Sequence, residues 1–123
     1  MDFQENTKAI YLQIADSLCN DIITGKYPEE SRIPSVREYA ANVQVNANTV
    51  MRAYDYLQQS GIIFNKRGIG YFVAEGASTT IRNERMEKFM NNDLKQLFEE
   101  LHLLGISPKQ LVEMYEEYCK KNN

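Results

Sequence analysis

The stretch that most restricts the fold is Asn46-Ala47-Asn48-Thr49-Val50-Met51-Arg52-Ala53-Tyr54, because its polarity repeats at the period of a helix and of nothing else. At about 100° per residue, Val50, Ala53, Tyr54 and Leu57 fall on one face, while Asn48, Arg52, Asp55 and Gln59 fall opposite. One face suits a core and the other a partner. Asn46 is a good cap for this helix, which is expected to run to Gln59 or Ser60, with Gly61 closing it.

A shorter helix precedes it. Ser35 and Glu38 have the Ser-x-x-Glu spacing of a capping box at the head of Val36-Arg37-Glu38-Tyr39-Ala40-Ala41, and Asn42-Val43-Gln44-Val45 provides the turn. Two short helices joined in this way make a helix-turn-helix. After the second helix, Ile62-Ile63-Phe64 and Gly70-Tyr71-Phe72-Val73 are β-prone runs separated by the basic, turn-forming Asn65-Lys66-Arg67-Gly68-Ile69. A basic hairpin in that place is a wing.

Upstream, from a cap at Thr7, Ile10, Ile14, Leu18, Ile22 and Ile23 recur at helical spacing until Gly25, giving a supporting helix under the pair. Tyr27 to Pro34 reads as a loop. Downstream, Ala74 to Thr80 is small and polar and reads as a linker. Beyond it, Met86, Met90, Leu94, Leu97, Leu101 and Leu104 define a helix from about Thr80 to Leu104, which Gly105 breaks. Ser107, Pro108 and Gln110 then start a last helix, with Leu111, Val112, Met114, Tyr115 and Tyr118 on its apolar face. Two helices cannot bury all of that surface against each other, so the missing partner is either the N-terminal domain or a second copy of the chain.

The ordered motifs Ile33-Pro34-Ser35-Val36-Arg37-Glu38, Val45 to Tyr54, Gly61-Ile62-Ile63 and Lys66 to Val73 resemble the winged helix-turn-helix of GntR-type bacterial transcription regulators, and the short remainder resembles the YtrA-type branch. The resemblance implies a mainly α fold with a small β-hairpin: a winged helix-turn-helix DNA-binding domain over 1–75 and a helical dimerisation hairpin over 76–123. It also implies a homodimeric, sequence-specific regulator acting as a repressor on a palindromic operator in double-stranded DNA. The expected DNA-binding residues are Arg37, Asn46, Asn48, Thr49, Arg52, Lys66, Arg67 and Gly68. Amide and guanidinium groups on the second helix suit base edges in the major groove, and the wing cations suit phosphates or the minor groove. The chain departs from the family pattern at Glu29-Glu30, where relatives carry Pro-Gly, and at Ala47 and Met51, where many carry arginine.

A net charge of −3 is unusual for a nucleic-acid binder until it is mapped. Between Arg32 and Val73, Arg32, Arg37, Arg52, Lys66 and Arg67 face only Glu38 and Asp55, so positive charge collects at the candidate site. The two cysteines, Cys19 and Cys119, lack metal-type spacing, and the lone His102 among leucines reads as a packing residue. The adjacent acidic pairs Glu99-Glu100 and Glu116-Glu117 point apart on their helices and offer no acid/base constellation. No catalytic residue, cofactor or metal is expected. No apolar run spans a membrane, and Met1 to Glu5 lack the features of a secretion signal, so a cytoplasmic location is expected. The alternative is a winged-helix protein-interaction module that binds no DNA. A small-molecule effector is left open.

Overall fold

The computed structural model describes residues 8–123, so the expected cap at Thr7 lies outside the described residues. The chain divides into two compact units, with the boundary between Asn83 and Glu84.

In the first unit, α1 (Ile10–Ile23), α2 (Val36–Val43) and α3 (Ala47–Gln59) are followed by the antiparallel strands β1 (Ile63–Lys66) and β2 (Gly70–Val73). Helix α3 packs on both α1 and α2 and buries the face its periodicity marks: Val50, Ala53, Tyr54 and Leu57. From α1, Ile14, Leu18 and Ile22 join this core, whereas Ile10, at the near end of the expected stripe, is exposed. The Ser35 capping box forms, with the Ser35 hydroxyl accepting from the Glu38 N–H at 3.1 Å and the Glu38 carboxylate accepting from the Ser35 N–H at 3.2 Å. Gln44 takes a left-handed conformation, φ 56°, and so turns the chain from α2 into α3.

The strands pair from Ile63↔Val73 to Lys66↔Gly70, and the turn closes with the Ile69 N–H donating to the Lys66 carbonyl at 2.8 Å. The loop before α2 adds a further edge, because the Val73 N–H donates to the Ser31 carbonyl and the Ile33 N–H to the Tyr71 carbonyl. Glu30 stands in this loop with φ 66°, a conformation that glycine adopts without cost. Its neighbour Glu29 turns its carboxylate to the Gly76 N–H, where the next helix begins.

That helix, α4 (Ala77–Lys88), replaces part of the linker read from the sequence. Ala77 and Ile81, one turn apart, belong to the buried cluster of the first unit, so the small residues there serve close packing.

In the second unit, a π-helical turn, Phe89–Asp93, interrupts the expected continuous helix before α5 (Leu94–Leu104). Met86, Met90 and Leu94 recur at steps of four, longer than the α-helical period, and a widened turn keeps them closer to one face. Gly105, φ 73°, ends α5. Ser107 and Gln110 form the second capping box, with Pro108 opening α6 (Pro108–Lys121). Neither α5 nor α6 buries any residue. Leu103 is 84% and Leu104 75% exposed, and Phe98, Met114, Tyr115 and Tyr118 are also open. His102 is exposed as well. Among the described residues no helix is long and apolar enough to cross a membrane.

Candidate nucleic-acid interface

Helix α3 is held by its buried face and capped by Asn46, whose side-chain oxygen accepts from the Asn48 N–H at 2.8 Å. The Asn46 oxygen is thereby committed to the cap, and its amino group remains as the donor for a partner. On α3, Asn48 and, about one turn later, Arg52 are exposed on the side opposite the core, and Thr49 is half-buried at its margin.

The two flanks of α3 differ. Towards the wing, the Tyr71 hydroxyl donates to the Met51 sulfur at 3.9 Å, and Tyr71 meets Tyr54 edge to face with centroids 4.9 Å apart. Met51, where many relatives carry arginine, thus ties α3 to the wing. Towards α1, the Arg52 guanidinium carbon lies over the Tyr11 ring, 4.0 Å from its centroid, and Tyr11 in turn meets Tyr56 edge to face at 6.3 Å. Arg52 is therefore anchored within the chain, by a residue the sequence reading did not single out. Tyr11 sits just beside the Ile10, Ile14 and Leu18 stripe of α1, and an aromatic ring at the margin of an apolar face is the signal that marks it.

Arg37, the second residue of α2, is exposed. Its neighbour Glu38 has its carboxyl held below the usual range, first by the Ser35 N–H and hydroxyl of the capping box, with Arg32 adding a smaller effect. Arg32 is the other residue the sequence reading counted without assigning. Its Nε lies 3.0 Å from where a β-carbon on Gly70 would stand, so Gly70 is the gap through which this side chain crosses the base of the wing.

On the wing, the Lys66 ammonium stands over the Phe72 ring at 4.9 Å, and Phe72 stacks on Phe64 with centroids 5.7 Å apart. Arg67 and Gly68 form the exposed tip. Gly68 has φ 80° with open space around it, so the turn requires glycine for its backbone angle alone. Arg37, Arg52, Lys66 and Arg67 are exposed and make no ion pair among the described residues.

Comparison with known proteins agrees with this arrangement. The HTH-type transcriptional repressor YtrA of Bacillus subtilis is 35% identical over 108 residues, covering 88% of this chain and 82% of the relative. A solved chain from Bacteroides thetaiotaomicron, assigned to the GntR family of transcriptional regulators, is 54% identical with a TM-score of 0.84, covering 94% of this chain and 100% of that one. The DNA-binding domain of AraR, solved in complex with an operator, superposes with a TM-score of 0.51 at 25% identity, covering 60% of this chain and 95% of that one. The model of bacterial regulatory proteins of the GntR family matches residues 10–73, from the start of α1 to the end of β2. With its winged helix-turn-helix in place and a YtrA-type relative matched along most of its length, this chain belongs to the GntR family of transcription regulators, and is no enzyme.

Proposed function

We propose that the protein is a homodimeric repressor that reads a palindromic operator with α3 and grips the flanking backbone with its wing. The observation that carries this reading is the pairing of an exposed amide and guanidinium face on α3 with a doubly basic wing tip, all without ion pairs among the described residues. In B-DNA the major groove admits one helix, and asparagine and arginine match adenine and guanine edges there. Asn48 and Arg52 take the reading role, with Thr49 beside them. Arg37, the Asn46 amide, Lys66, Arg67 and the Gly68 turn take the phosphate and groove-edge contacts that fix register. AraR's DNA-binding domain, solved on its operator, supports duplex DNA as the ligand of the same fold here.

Self-association is the role proposed for the C-terminal helices. Phe98, Leu103, Leu104, Met114, Tyr115 and Tyr118 leave large apolar side chains open on both helices, and exposed apolar surface of this kind marks an interaction site. A second copy covers it and doubles the reading heads, so two half-sites are bound with the advantage of linkage. Such a regulator works in the cytoplasm, where the chromosome is. Repression, the activity named for YtrA, follows if the occupied operator overlaps a promoter.

The test is selection of random duplexes by the protein, by Asn48→Ala and by Arg52→Ala. The parent is expected to enrich an inverted repeat. Each variant is expected to lose about 1–3 kcal/mol on it and to relax preference at one base pair per half-site. Enrichment of no sequence by the parent would leave the winged helix as a protein-binding module instead.

A further inference from the structure

The contact between α1 and α3 assigns a role to a residue outside the helix-turn-helix. Tyr11 is half-buried, with its ring packed against the core and its other contacts made to Tyr56 and Arg52. Tyr56 lies one helical turn after Arg52 on α3 and meets the Tyr11 ring at an interplanar angle of 77° with centroids 6.3 Å apart, so α3 supplies both the aromatic and the cationic neighbour of this ring. The guanidinium carbon at 4.0 Å is in contact with the π face of that ring.

This contact restrains Arg52 without occupying it. An aromatic face attracts the cation but accepts none of the in-plane hydrogen bonds by which a guanidinium recognises a pair of acceptors. The side chain has four freely rotating bonds, and an unrestrained arginine loses much of that freedom when it engages a base. Held on Tyr11, it has lost part of it before DNA arrives. All five of its N–H donors stay available, enough for a bidentate acceptor pair such as guanine O6 and N7.

We propose that Tyr11 is the positioning residue for Arg52: its ring holds the guanidinium at the α1 edge of the reading face and so sets the strength of discrimination at one base pair in each half-site. The proposal rests on the reading of α3 given above, since it needs Arg52 to face a base. It separates Tyr11 from residues that merely fill the core, because what it predicts is a change of preference and not only of stability.

The experiment selects random duplexes with the parent protein, Tyr11→Leu, Tyr11→Phe, Arg52→Ala and the Tyr11→Leu/Arg52→Ala double variant, with thermal unfolding of each. Tyr11→Leu keeps apolar bulk and removes the ring; it is expected to weaken discrimination at the base pair that Arg52→Ala relaxes, by roughly 3- to 10-fold. Tyr11→Phe keeps the ring and is expected to keep the parent's preference. The double variant is expected to be no less discriminating than Arg52→Ala alone, since the two act as one unit. If Arg52→Ala relaxes the base pair while Tyr11→Leu discriminates like the parent, the positioning role is wrong and the reading role of Arg52 stands. If Arg52→Ala itself changes nothing, both are wrong. A lowered unfolding temperature for Tyr11→Leu with unchanged preference also overturns the proposal.

Discussion

The Tyr54 hydroxyl donates a hydrogen bond of 2.6 Å to the carbonyl of Pro34, twenty positions earlier in the chain. The bond fastens the middle of α3 to the loop that leads into α2. The Tyr54 ring also meets Tyr39 of α2 and Tyr71 of β2 edge to face, so one fully buried side chain sets the mutual position of α3, α2 and the wing.

Removing that hydroxyl is expected to be costly. Tyr54→Phe leaves the Pro34 carbonyl without its donor and should cost about 1–2 kcal/mol, a drop of several degrees in unfolding temperature. It should also change the alkaline limit of stability. Burial, with smaller contributions from Tyr39, Tyr27, Tyr71 and Glu38, raises the Tyr54 phenol above its ordinary value. A raised folded-state value favours the neutral form, so its stabilisation is complete below the unfolded value of about 10 and declines as pH rises beyond it. Tyr39 and Tyr71 are raised in the same direction. Denaturant midpoints measured from pH 8 to 11 should therefore fall above pH 10, less steeply in Tyr54→Phe than in the parent. Equal slopes would remove Tyr54 from the account.

A second prediction concerns the loop at Glu30, whose φ of 66° is uncommon for a residue with a β-carbon. A left-handed conformation costs such a residue about 1–2 kcal/mol, part of which Glu30→Gly recovers and part of which the greater freedom of the unfolded chain offsets, about 0.4–1 kcal/mol. Glu30→Gly should thus be neutral or slightly stabilising, while Glu30→Val should be destabilised by more than about 1 kcal/mol because a β-branched side chain fits this region poorly. The Glu30 N–H bond to the Val73 carbonyl survives in both, so unfolding curves compare the backbone effect directly. A Glu30→Gly protein less stable than Glu30→Val would refute it.

Much of this architecture is legible in the sequence where its causes are local. The buried face of α3 follows from periodicity, and both capping boxes follow from a spacing of three residues. What escapes is set by contacts between distant positions. Ala77 reads as linker because small residues favour turns, yet smallness lets it enter the core beside Ile81. Arg52 reads only as a cation on the outward face of its helix, because its anchor, Tyr11, belongs to another helix. Likewise the strand-like pairing of Ser31 to Ile33 with β2 leaves no alternation in so short a run. At Glu29 the departure from Pro-Gly is visible in the sequence, but its use as an acceptor for the Gly76 N–H is not.

Assembly provides a third prediction. Because Ala77 and Ile81 belong to the first unit's core, a chain that is to retain that core must extend through Asn83. Such a chain is expected to be monomeric by sedimentation and to bind a half-site weakly, whereas the whole chain is expected to be dimeric and to gain from linkage. In the 123-residue chain, Leu104→Asp together with Tyr118→Asp is expected to dissociate a dimer formed through α5 and α6, since burying two unpaired charges costs several kcal/mol. A dimeric chain ending at Asn83, or an undisturbed dimer in the double variant, would move the interface away from α5 and α6.

The wing offers a distinction between its two cations. Arg67 lies at the exposed tip and has no ion pair among the described residues, whereas the Lys66 ammonium is drawn over Phe72, which stacks on Phe64. A contact to phosphate releases bound counterions, so each one lost reduces the slope of log affinity against log salt by roughly 0.9 for duplex DNA. Arg67→Ala should lower affinity for cognate and unrelated duplexes alike and reduce the slope by about that amount, with no effect on unfolding beyond about 0.5 kcal/mol. Lys66→Ala should reduce the slope similarly and in addition lose its contact with the ring, worth about 0.5–1 kcal/mol at an exposed site. Lys66→Arg should restore the slope, because a guanidinium keeps both the charge and the affinity for the Phe72 face. Binding isotherms at four or more salt concentrations, on one selected and one unrelated duplex, measure all three. If Arg67→Ala keeps the parent's slope, the wing tip does not meet the phosphate backbone and the role proposed for Arg67 falls.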